Sequence, residues 1–111
     1  MTDRERKLLA DIRDAANELL SYTQGKTEAD YLADRTLRLL VERLFLVIGE
    51  AATRLRREAP DTFAKVDHLR GAIAFRNFLV HVYDAIEDRL VWRTVCEDVE
   101  PLVAEVSALL A

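Results

Sequence analysis

The residues best suited to chemistry lie in one short stretch, Arg76-Asn77-Phe78-Leu79-Val80-His81-Val82-Tyr83. A histidine moves protons near neutral pH, an arginine fork holds a phosphodiester and its developing negative charge, and an asparagine amide orients either group. RNA cleavage without a metal needs these parts. A 2′-hydroxyl attacks the adjacent phosphorus while one group takes its proton and another protonates the leaving 5′-oxygen. One chain offers a single histidine in this stretch. Two copies facing each other across a two-fold axis would bring two histidines and two arginines to one cleft, so this chemistry asks for a homodimer. The competing reading of the same spacing is a capped or core-facing histidine on an apolar helix.

A helix over about 68–83 would carry the stretch. Asn77 and His81 are four residues apart and project about 40° from each other, on one face. Arg76 precedes His81 by five residues, about 140° round the axis and about 7.5 Å along it, so only its long stem can bring the guanidinium to the same place. Tyr83 would point about 200° from His81 in mid-helix, but at a helix end it can turn toward the same cleft.

The rest of the chain reads as the helices that hold this one. Thr2-Asp3-Arg4-Glu5 has the form of a capping box, followed by an inward stripe of Leu8, Ile12, Ala15 and Leu19 and a stop near Gly25. A second pattern opens around Thr27 to Asp30 and runs through Leu37, Leu40, Val41, Leu44, Ile48, Ala51 and Leu55 to Ala59-Pro60, a single helix of about 30 residues. Its middle, Leu44-Phe45-Leu46-Val47-Ile48, is apolar all round, which predicts cover on more than one side, by its own core and by a second subunit. Gly49 inside that run costs about 1 kcal/mol against alanine and points to a close helix approach. Pro60-Asp61-Thr62-Phe63 reads as a connector with a short helical turn. A last helix from about Asp88 to Leu110 turns Val91, Val95, Val99, Leu102, Val106 and Leu109 inward and should be kinked or split at Pro101. Trp92 should anchor it in the core.

The 111 residues, half of them hydrophobic and 32% charged, with three glycines and two prolines, suit one all-α domain over 1–111. Nothing resembles a secretory leader or a membrane span, so the cytoplasm is the expected location. The lone Cys96 can form no internal disulfide and reads as a half-buried helix residue. The acidic residues Asp84, Glu87 and Asp88 read as helix-terminus partners, so no metal and no cofactor is expected. His68 falls outside the reactive stretch, where an exposed histidine near a helix start is ordinary. A net charge of −4 argues against a uniformly basic nucleic-acid surface. Any RNA contact must be local, although Arg54, Arg56, Arg57, Lys65 and Arg70 cluster near the middle of the chain.

Arg76 to Tyr83 resembles the Arg-x4-His-x-Tyr signature of the HepT-like branch of the HEPN superfamily, including the asparagine directly after the arginine. Asp34-Arg35-Thr36, Arg43-Leu44, Ile48-Gly49-Glu50-Ala51-Ala52 and Val91-Trp92 fall where that family has its other recurrent pieces, so the likeness covers most of the chain. The stretch from Phe63 to Gly71 departs from it, lacking the Trp and Pro often found there. The resemblance implies a HEPN-type up-down bundle of four or five helices that dimerises through the motif helix. It also implies a metal-independent endoribonuclease with Arg76, Asn77 and His81 catalytic. The chain would be the toxin of a type VII-like toxin–antitoxin pair, a homodimer or higher even oligomer silenced by a minimal nucleotidyltransferase antitoxin that transfers AMP to Tyr83. Two other functions fit the same sequence: a non-catalytic helical partner of a nucleotidyltransferase, and a purely structural helical dimer. A scaffold, however, needs none of these polar groups on an apolar helix.

Overall fold

A computed structural model describes residues 1–81 and 87–111. Among the described residues six helices follow in order: α1 (Asp3–Thr23), α2 (Glu28–Ala33), α3 (Arg35–Glu58), α4 (Pro60–Phe63), α5 (Leu69–His81) and α6 (Asp88–Leu110). The four longer ones, α1, α3, α5 and α6, make the bundle, and the described residues contain no strand. No helix among them is long and apolar enough to cross a membrane.

The start of α1 is the capping box that the sequence predicts. The Glu5 amide donates to the Thr2 hydroxyl at 3.1 Å, and the Thr2 amide donates to the Glu5 carboxylate at 2.8 Å. The Thr62 hydroxyl, far along the chain, also donates to Glu5 and so ties α4 to this end of the bundle. That bond, followed by those from Thr2, holds the Glu5 carboxyl down at about 2. After α1, Gly25 takes a φ of 73°, the left-handed turn that favours glycine.

The single helix expected from Thr27 to Ala59 is broken at Asp34, which leaves the helical region at φ −114°, ψ 96° and caps α3 by accepting from the Leu37 amide at 3.0 Å. Thr27 and Asp30 give α2 a capping box of its own. The reason lies in packing. Tyr31 and Leu37 are six residues apart and would diverge by about 120° in a continuous helix, yet both are buried. The break lets Tyr31 stack on Trp92 of α6, ring centroids 5.2 Å apart, while Leu37 opens the inward stripe of α3. Arg38 fastens the junction, donating to the Leu32 carbonyl and lying 3.5 Å from Asp88 at the start of α6.

In the core, α1 packs on α3 and α6, and α5 lies along the other flank of α3. Trp92 is buried, as its size predicts. Pro101 does not split α6, which runs unbroken to Leu110. Glu97, the residue whose carbonyl loses its partner, is exposed, so water can take the bond. Cys96 is exposed rather than half-buried. The apolar middle of α3 divides: Leu44, Phe45 and Ile48 are buried, while Leu46 and Val47 are half covered. Nearby Leu39, Leu40 and Val80 stand 50%, 37% and 39% exposed.

Candidate active site

Helix α5 lies antiparallel to α3. Phe45 meets Phe75 edge-on at 4.9 Å, and Gly49 lies against Ala72 and Arg76. His81, at the C-terminal end of α5, therefore falls toward the N-terminal half of α3, the half that carries the exposed Leu39 and Leu40.

Arg70, Ala74, Asn77 and His81 follow at helical spacings of four, three and four, and all four are exposed. The pairing of Asn77 with His81 on one face is thus present, and that face is open to solvent. Arg76 leaves α5 on another side. Its stem packs on Gly49, and its Nε is buried with no hydrogen-bond acceptor among the described residues. The guanidinium turns back so that Nη1 donates to Asn77 Oδ1 at 3.2 Å. The stem thus brings the guanidinium to Asn77, the next residue round the helix. Nothing among the described residues hydrogen-bonds the His81 ring, and no bond joins His81 to Arg76 or Asn77. Tyr83 lies outside the described residues.

His68 is not the free surface residue that its place in the sequence suggests. Its amide donates to Glu105 Oε1 at 3.1 Å and its Nδ1 bonds the other carboxylate oxygen, so one glutamate of α6 grips both backbone and ring at the start of α5. Both side chains are about two-thirds or more covered. The partners are 37 residues apart, and no local pattern announces the pair.

A cavity of about 420 Å³ opens between α3, α5 and α6, lined mainly by Phe45, Ile48, Phe75, Phe78, Leu90 and Val99. Arg76, Asn77 and His81 do not line it, although Ala74, which shares a face with Asn77 and His81, does. Its walls are mostly apolar, with Asp67, His68, Thr94 and Asp98 the polar side chains among them. No cluster of three or more histidine, cysteine or acidic groups placed to hold a metal occurs among the described residues. At the α2–α3–α6 junction the Glu42 carboxyl is pushed up by burial and then by Asp88, and the Tyr31 hydroxyl is buried with no partner among the described residues. These groups lie within the junction of the fold, away from the open face of α5. Arg54, Arg56, Arg57, Lys65 and Arg70 are all exposed, and none is in an ion pair among the described residues.

Comparison with known proteins gives the frame for this arrangement. The chain is 30% identical over 98 residues to a Methanocaldococcus jannaschii protein named as a putative RNase, covering 88% of this chain and 89% of that one. It is 28% identical over 94 residues to a protein of Thermococcus cleftensis named as a probable ribonuclease HepT, covering 85% and 84%. A third relative, from Caldanaerobacter subterraneus and also named as a putative RNase, is 27% identical over 92 residues, covering 83% and 81%. No solved structure matches the chain significantly. The profile of the ribonuclease HepT-like family matches residues 12–109, nearly all of the bundle including the whole of α5, and the chain belongs to that family.

Proposed function

We propose that this chain is a metal-independent endoribonuclease that acts as the toxin of a toxin–antitoxin pair. The observation that carries the reading is the open face of α5, where His81 and Asn77 stand together and Asn77 holds the Arg76 guanidinium at 3.2 Å. An arginine fork at that surface pairs with a phosphodiester. Imidazole then takes the proton of the 2′-hydroxyl as that oxygen attacks phosphorus, and a second imidazole, protonated, gives its proton to the departing 5′-oxygen. The products are a 2′,3′-cyclic phosphate and a 5′-hydroxyl. One chain has one such histidine, so the site is composite, made from two copies. The exposed Leu39 and Leu40 of α3 and Val80 of α5 support burial of apolar surface against a second copy, in a homodimer or a higher even oligomer.

Regulation follows from position. Tyr83 comes two residues after His81, and AMP placed on it by a minimal nucleotidyltransferase antitoxin would set a phosphodiester anion beside the catalytic groups. That anion would compete with RNA for Arg76 and obstruct the cleft. The alternative, a non-catalytic helical partner of a nucleotidyltransferase, predicts no cleavage at all. The test is incubation of purified protein with end-labelled RNA in EDTA, with light scattering on the same sample. Cleavage that survives chelation by a species of at least dimer mass supports the reading. An inert protein, a monomer, or cleavage that stops on chelation opposes it.

A further inference from the structure

Gly49 lies against the Arg76 stem, and the contact leaves no room for a side chain at position 49. A Cβ built on Gly49 would stand 2.2 Å from Arg76 Cβ, 2.6 Å from Arg76 Cγ and 3.2 Å from the Ala72 carbonyl oxygen. Two carbons at 2.2 Å overlap far inside van der Waals contact, so an alanine there must push α5 off α3 or turn the arginine out. The chain contrasts this with Gly71, where an added Cβ would meet nothing within 4 Å. Along the rest of the stem the grip continues. The Arg76 Nε is fully covered without an acceptor among the described residues, an arrangement that carries its own desolvation cost. At the tip, Nη1 rests on Asn77 Oδ1. The arginine is thus laid flat in a slot whose floor is Gly49, and only its terminal nitrogens reach the surface that carries His81.

We infer that Gly49 is a positioning residue for the reaction: the missing side chain forms the slot that aims the Arg76 guanidinium at the phosphodiester. This rests on the ribonuclease reading above and extends it from α5 to α3. A glycine that served helix packing alone would affect stability and leave the arginine's contribution to rate unchanged. A glycine that aims Arg76 makes the two positions one unit, whose effects do not multiply.

The experiment is a kinetic cycle on the full-length protein with Gly49→Ala, Arg76→Ala and the double variant, each checked for helical circular dichroism and oligomer mass. Arg76→Ala is expected to lower kcat at least 100-fold. Gly49→Ala is expected to lower kcat at least 10-fold with KM within about threefold, and adding Arg76→Ala to it should cost less than the single change costs in wild type. Full activity in Gly49→Ala, or factors that multiply in the double variant, would overturn the inference while leaving the ribonuclease reading intact. Full activity in Arg76→Ala would overturn both. If Gly49→Ala fails to fold, the slot is probed by chemical rescue. Added propylguanidinium should restore part of the activity of Arg76→Gly, but not of Arg76→Gly combined with Gly49→Ala, where a methyl group fills the slot. Equal rescue in both, or rescue in neither, contradicts the inference.

Discussion

The chain has two histidines, at the two ends of α5, in opposite circumstances. His68, just before the helix, is held through its amide and its ring by Glu105, which fastens α5 to α6. His81, the last described residue of the helix, is exposed and bonded to nothing among the described residues. A histidine whose ring is held by a carboxylate on a packed helix contributes to architecture. His81 instead stands at an open surface, on the face that it shares with Asn77. The helix is thus anchored at its N-terminal end and open to solvent along its C-terminal face.

The largest effect should separate the histidines by activity. His81→Ala is expected to lower RNA cleavage about 10²–10⁴-fold, the usual loss of a general acid or base, with circular dichroism unchanged. His68→Ala should retain most of its rate. Equal losses in a labelled-RNA assay would erase the contrast. The reverse ranking is expected for stability. Glu105→Gln or His68→Ala weakens the grip on α5 and should cost about 1–2 kcal/mol, roughly 4–8 °C in Tm, because the pair is partly exposed. His81→Ala should leave Tm nearly unchanged, and a scan in which it falls as far as His68→Ala would show that His81 is structural too.

A smaller effect concerns the opposite end of the bundle, where Glu5 joins α1 to α4. Its carboxyl is held at about 2 in the folded chain, first by the Thr62 hydroxyl and then by Thr2, against about 4.3 when unfolded. A depressed folded value stabilises fully above the unfolded value, and that stability is lost as pH falls from about 4.5 to about 2. Glu5→Gln should therefore melt below wild type at pH 7, and the two curves should converge as pH approaches 2. Parallel curves across that range would mean that the clasp contributes nothing.

What could be read in the sequence was what neighbouring residues determine. The capping box at Thr2 and Glu5, the inward stripes of α1 and α6, the burial of Trp92 and the shared face of Asn77 and His81 all follow from spacings of three and four. The break at Asp34 could not be read, because Tyr31 and Leu37 each satisfy a helical pattern and only Trp92, across the core, forces them apart. The grip of Glu105 on His68 joins residues 37 positions apart. Gly49 was legible as a close approach, but not as a close approach to Arg76. The exposed arginines of α3 and the start of α5 carry no pattern that separates a solvated face from an RNA contact. Tyr83 falls outside the described residues, so its part remains a proposal resting on its place after His81.

The central claim is that the open face of α5 cleaves RNA through the 2′-hydroxyl, with His81 and Arg76 and no metal. The most direct measurement is the chemistry of the ends produced when the purified protein cuts a defined RNA in EDTA, beside the same RNA carrying a 2′-deoxy nucleotide at the cleaved position. The account predicts a 2′,3′-cyclic phosphate and a 5′-hydroxyl from the ribose substrate, no cut at the deoxy position, and neither product from His81→Ala. A 5′-phosphate with a 3′-hydroxyl, or cleavage of the deoxy substrate, would contradict it.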